Sequence, residues 1–98
     1  MFIHTVLMRL SDDVDDAFHR KVDDYVSRVR TELACVCQYF YGRNLADRAN
    51  GLTWAVVGMF DSSADHDRYQ VSAVHQEMKA YMSPFIVEII ACDMECDR

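Results

Sequence analysis

Tyr69 and His75 stand six residues apart in the stretch DRYQVSAVHQ, positions 67 to 76. A phenol and an imidazole suit proton transfer: the imidazole takes a proton near neutral pH, and the phenol donates to a developing oxyanion. Val71 and Ser72 break the helical pattern between them and start a second helix, so His75 falls in its first turn. The positive end of that helix dipole disfavours imidazolium and holds the ring neutral. His4 is the third candidate; it alternates with Val6 and Met8 on a strand and shares their buried or pocket-facing side. Residue types alone leave a plainer reading open. An early-helix histidine also serves as a cap, and a tyrosine on an amphipathic helix packs its ring and wets its hydroxyl.

The remaining chemistry-bearing residues point to no further site. His66 lies between Asp65 and Asp67 and is expected to face solvent; adjacent helix positions diverge, so these three do not gather a metal. The acids Asp12, Asp13, Asp15 and Asp16 lack the mid-loop glycine and closing glutamate of a calcium loop and read as a solvated helix start. Cys35 and Cys37 are two apart, on one face of an expected strand, and Cys92 and Cys96 share a face likewise. Neither pair has the turn setting of a zinc site, so reduced, structural thiols are expected. Met59, Met78, Met82 and Phe60 read as core or pocket wall. No metal and no cofactor are expected.

The elements that must position these groups are legible from periodicity. Residues 2–10 alternate as a strand, with both faces mostly apolar. Ser11, followed by Asp12 and Asp13, reads as a cap for a long amphipathic helix carrying Val14, Phe18, Val22, Tyr25 or Val26, Val29 and Leu33 inward. Residues 34–43 read as a second strand, and a polar connection ending in Asn50-Gly51 turns the chain into a third strand at 52–60. Asp61-Ser62-Ser63 caps a short helix to about Gln70. A second runs from Ala73 to Met82, and Ser83-Pro84 stops it. A β-branched segment, 85–95, is the fourth strand. The order β-α-β-β-α-β is that of a ferredoxin-like α+β domain, an antiparallel sheet with helices on one face, and it fills residues 1–98 as one domain.

Composition sets the class. A net charge of −6 with no basic run excludes a nucleic-acid partner. The N-terminus lacks the basic segment and unbroken apolar stretch of a signal peptide, and no run is long enough to span a membrane, so a cytoplasmic location is expected. A chain of this length buries only about 60–65% of its unfolded surface. Yet 51% of its residues are hydrophobic. The uncovered sheet face, apolar in strands one, three and four, is therefore expected to pair with a second copy.

Four segments carry a resemblance across essentially the whole chain: IHTVLMRL, YGRNL, LTWAVVGMFDSSADHDRYQVSAVHQEM and IVEIIACDME. Together they resemble the stress-responsive dimeric α/β-barrel family, often called Dabb. That family usually writes His-Pro-x-His where this chain has Ser72-Ala73-Val74-His75, so the last histidine is kept and the first histidine and the proline are replaced. The resemblance implies a homodimer whose sheets pair face to face as a two-fold barrel, with a pocket between sheet and helices for a small aromatic or polyketide-like ligand. Members include stress-induced proteins of no assigned reaction and a plant polyketide cyclase that performs an aldol closure. On that likeness His75 is the base, Tyr69 the donor, and His4 a pocket residue. A second pocket histidine falls at Trp54, which is then expected to line the pocket as a wall. Related barrels include cofactor-free monooxygenases, a looser likeness. The retained pair implies a pocket; the lost His-Pro element leaves catalysis itself open.

Overall fold

Alternation and helical periodicity translate directly into elements. The computed structural model describes residues 1–97, and in these the chain forms β1 (Phe2–Leu10), α1 (Asp16–Glu32), β2 (Gln38–Arg43), β3 (Trp54–Phe60), α2 (Ser63–Gln70), α3 (Ala73–Met82) and β4 (Ile86–Glu95). A 3-10 turn at Ser83–Phe85, with Pro84 inside it, ends α3 and feeds β4. The sheet order is β2-β3-β1-β4 with every neighbouring pair antiparallel. Both crossovers place their helices on one face, giving the ferredoxin-like α+β fold. No helix among the described residues is long and apolar enough to cross a membrane.

Register decides which side chains reach the helices. Phe2, His4, Val6 and Met8 lie opposite Phe60, Gly58, Val56 and Trp54 of β3, and opposite Glu95, Asp93, Ala91 and Ile89 of β4. Onto this face α1 lowers Phe18, Val22, Val26 and Val29, and α3 lowers Val74, Met78 and Met82, all buried. Each such side chain contributes roughly 1.5–3 kcal/mol through burial, as an upper estimate. Gly58 sits between His4 and Tyr39 in the register, where an added Cβ would stand 3.0 Å from the Phe60 ring and 3.2 Å from that of Tyr39. The missing side chain makes room for those two rings. The hairpin loop closes with Asn50 at φ 53° and Gly51 at φ 80°, the left-handed geometry their types favour.

The opposite sheet face is open. It presents Phe40, Ile90 and Met94, each about half exposed, beside Ile3, Leu7 and Val57. Met59 pairs with Ile3 and belongs to this face, not to the core or pocket wall expected for it.

Two boundaries differ from those expected. The cap of α1 is Asp15, whose carboxylate accepts from Phe18 N at 2.9 Å, rather than Ser11. Ser11 Oγ caps nothing; its N–H donates to Phe85 O at 2.8 Å, tying the end of β1 to the start of β4. At the other end, Leu33 leaves the helix and the chain turns before β2 begins at Gln38. Cys35 and Cys37 therefore sit outside the strand: Cys35 packs on the core, and the Cys37 thiol approaches Asp61 Oδ1 at 3.4 Å. All four cysteines are free thiols.

Candidate functional site

A single hydroxyl sets the relation between Tyr69 and His75. Ser72 Oγ accepts from His75 N at 3.3 Å, capping α3, and donates to Tyr69 O at 2.7 Å, closing the end of α2. The two rings come within 4.4 Å, centroid to centroid. His75 Nδ1 lies 3.0 Å from the carbonyl of Gln70. A carbonyl only accepts, so Nδ1 carries the proton and Nε2 is left with a free lone pair in the neutral ring. Burial holds the His75 pKa below the ordinary histidine value and outweighs the opposing Gln70 bond; nearby Lys79 pushes the same way as burial. This ring is an unprotonated base at neutral pH.

Tyr69 is 1% exposed, and its hydroxyl meets that of Tyr39 at 2.6 Å. Burial pushes its pKa up to about 12, against the opposing pull of the Tyr39 bond. The phenol therefore stays protonated. When Tyr39 is the donor in that pair, the Tyr69 proton is free for another acceptor. Burial raises Tyr39 as well, further than Tyr69.

His4 is also buried, and its Nδ1 lies 2.5 Å from Asp93 Oδ1, directly across the β1–β4 ladder. The carboxylate fixes the ring orientation, as an acidic partner does for a histidine whose other nitrogen must face a set direction. The His4 ring lies 5.9 Å from that of Tyr69.

His66 does not face solvent as expected; it is 4% exposed, packed 4.7 Å from the Phe2 ring and 5.2 Å from Phe60. Residues three apart share a helix face, so the turn that buries Tyr69 also buries His66. Burial, with a smaller contribution from His4, lowers its pKa below the ordinary value.

His4, Tyr69 and His75 converge on one cavity of about 430 Å³ between the sheet and the α2–α3 pair. Its wall is largely apolar, from Val6, Met8, Met78, Met82 and Ile89, and Lys79 brings a cation to its lining. That volume falls within the range of small-molecule sites, which combine an apolar lining with a few convergent polar groups. Trp54 is not among the lining residues, contrary to its expected place as a wall. It shares the face of Met8, but its ring stacks on His19 of α1 at 4.2 Å and on Tyr41 at 5.3 Å, with the Arg43 guanidinium 5.2 Å away. An aromatic sandwich under α1 holds it there.

Sequence reasoning did not single out Tyr39, Asp93 or the inward turn of His66. A signal existed for each. Tyr39 alternates with Tyr41 on β2, Asp93 shares the β4 phase of Ile89 and Ala91, and His66 precedes Tyr69 by three.

The family model for the stress responsive A/B barrel domain, Dabb, matches residues 2–96. A search of curated protein sequences finds no match. Among solved structures the chain is similar to a dimeric ferredoxin-like protein of unknown function from Thermobifida fusca, at 22% identity and a TM-score of 0.82, over 97% of this chain and 90% of that one. It is similar to a hydroxynitrile lyase from Passiflora edulis at 19% identity and a TM-score of 0.85, over 98% and 93%. It is also similar to an antibiotic biosynthesis monooxygenase at 10% identity and a TM-score of 0.80, over the full length of both. At such identities the likeness is one of fold.

Proposed function

The chain belongs to the Dabb family, the stress responsive A/B barrel domains, and from that premise we propose a homodimer that binds a small, largely apolar carbonyl compound and moves a proton on it. Dimerisation is supported by the open sheet face: Phe40, Ile90 and Met94 leave apolar surface that a second sheet would cover. The Thermobifida fusca neighbour is itself dimeric.

The observation that carries the chemistry is the convergence of His4, Tyr69 and His75 on one apolar cavity. His75 Nε2 takes a proton from the carbon beside the carbonyl; the electron pair moves onto the carbonyl oxygen as an enolate, and the Tyr69 hydroxyl donates to it. His4, oriented by Asp93, fixes the ligand by its second nitrogen. This is the half-reaction of an aldol-type lyase or cyclase. A positioned base supplies about 10²–10⁴-fold, and one oxyanion donor about 10²–10³-fold.

The step can be tested without knowing the natural substrate. Acetophenone in deuterated water exchanges its methyl protons only after enolate formation, and proton NMR reads the loss. The wild-type protein is expected to accelerate exchange. His75→Ala is expected to abolish the acceleration, and Tyr69→Phe to reduce it about 100-fold. Ketone that binds in the cavity yet exchanges no faster than in buffer would leave a binding protein and remove the catalytic reading.

A further inference from the structure

Two imidazoles and a carboxylate meet where β1, β4 and α2 come together. His4, His66 and Asp93 each offer one ligand atom, and these atoms lie within 4.8 Å of one another. No two come from the same element: the β1–β4 register sets Asp93 against His4, and the buried face of α2 brings His66 down beside them. We propose that His4, His66 and Asp93 form a binding site for a divalent first-row transition ion of the zinc class.

The ring geometry suits a shared ion. With metal–nitrogen distances of about 2.1 Å, two imidazoles bound side by side place their centroids roughly 4.6–5.3 Å apart. The His4 and His66 centroids are 4.6 Å apart, with planes inclined by 44°. The donor set is also selective. Two nitrogens and one oxygen suit zinc, iron or cobalt, whereas calcium and magnesium call for shells of oxygen.

His66 supplies the second sign. It is 4% exposed, and among the described residues its one side-chain hydrogen bond is a long contact of 3.5 Å with Gln70 Nε2. The ring is thus held by one weak contact, and it has a nitrogen available to a ligand. His4 and Asp93 are already held by their 2.5 Å hydrogen bond. An entering ion replaces the proton they share, which leaves for solvent. Ligand atoms on one tetrahedral ion sit about 3.3 Å apart, so the pair opens by roughly 0.8 Å. Asp93 can do this by side-chain rotation, since its side chain is 40% exposed. Three protein ligands leave a position open, and His4 is part of the cavity lining, so a cavity ligand can reach it. The site does not depend on the proton-transfer reading, because His75 and Tyr69 are not ligands.

Metal-stripped full-length protein titrated with zinc by calorimetry is expected to bind one ion per chain. Asp93→Asn and His66→Phe, the latter keeping an aromatic ring between Phe2 and Phe60, are expected to weaken binding by at least about 100-fold, whereas His75→Ala binds as wild type. Because a variant can fail to fold, ring-nitrogen NMR of the wild-type protein gives an independent reading: zinc shifts His4 and His66 and leaves His19 and His75 in place. The assignment is overturned by absence of stoichiometric binding, by shifts at His19 or His75 instead, or by an intense thiolate-to-cobalt absorption on titration with cobalt, which puts the ion on the cysteines.

Discussion

Removing the Tyr39 and Tyr69 hydroxyls one at a time, then together, measures how strongly the β2 phenol holds the cavity phenol. The oxygens are 2.6 Å apart, and the residues are 0% and 1% exposed. Taking away one partner of a buried hydrogen bond costs about 1–3 kcal/mol, because the other is left unsatisfied. Tyr69 borders the cavity, where water can replace the lost partner, so Tyr39→Phe belongs at the low end, about 1 kcal/mol. Tyr39 also lines the cavity but is the more fully buried of the two, and among the described residues its one other partner is the Met78 sulfur at 3.9 Å. A thioether is a weak acceptor, so Tyr69→Phe should cost about 2 kcal/mol. The double variant removes both hydroxyls and strands neither, so it should cost about 2 kcal/mol rather than the sum of about 3. The coupling is then about 1 kcal/mol, a factor of roughly five in the folding equilibrium. Urea unfolding followed by circular dichroism would read it, at one fixed protomer concentration, since association makes stability depend on concentration. Costs that add within about 0.3 kcal/mol would refute the reasoning, for the two hydroxyls would then be independent.

Three further outcomes are expected. His66 and His75 both titrate below their ordinary value of 6.5 in the folded chain. The unfolded chain thus binds more protons over that interval, so stability is full above about pH 6.5 and falls as pH drops through the folded values. Thermal melts from pH 7.5 down to about 5 check this, and a melting temperature that rises on acidification contradicts it. Gly58→Ala forces a methyl against the Phe60 and Tyr39 rings and should destabilise by about 1–3 kcal/mol; a neutral result in urea melts would mean that the rings yield freely. Ile90→Asp, on the open face, should convert the dimer to monomers in light scattering while leaving the circular dichroism spectrum unchanged. A dimer that survives this change does not use the sheet face.

Much of the fold could be read from local rules because local rules govern it. The valines of α1 fall at helical spacing, and Ser62 and Ser72 cap α2 and α3 as their hydroxyls suggest. Tyr69 and His75 could be paired because one capping serine joins them in sequence as well as in space. The residues that escaped depend on contacts between distant segments. Ser11 is a good helix cap by type, yet Phe85, far along the chain, claims its N–H. His66 looks solvated between two aspartates, and only the docking of α2 on Phe2 and Phe60 turns it inward. Asp93 gains its role from a strand register that joins the two ends of the chain. Trp54 follows the resemblance in sequence position but not in surroundings, because His19, one α1 turn away from the core valines, takes its ring.

The placement of Trp54 gives the molecule two separate optical reporters. The chain has one tryptophan, stacked on His19 and Tyr41 beneath α1, where the His19 ring also bonds the Tyr41 hydroxyl at 2.9 Å. Indole emission from this protein therefore follows the docking of α1 on the β2–β3 hairpin. The cavity holds tyrosines instead, so a bound aromatic ligand perturbs Tyr69 absorbance while leaving the indole signal in its native state. Unfolding and occupancy can be followed at different wavelengths in a single unlabelled sample.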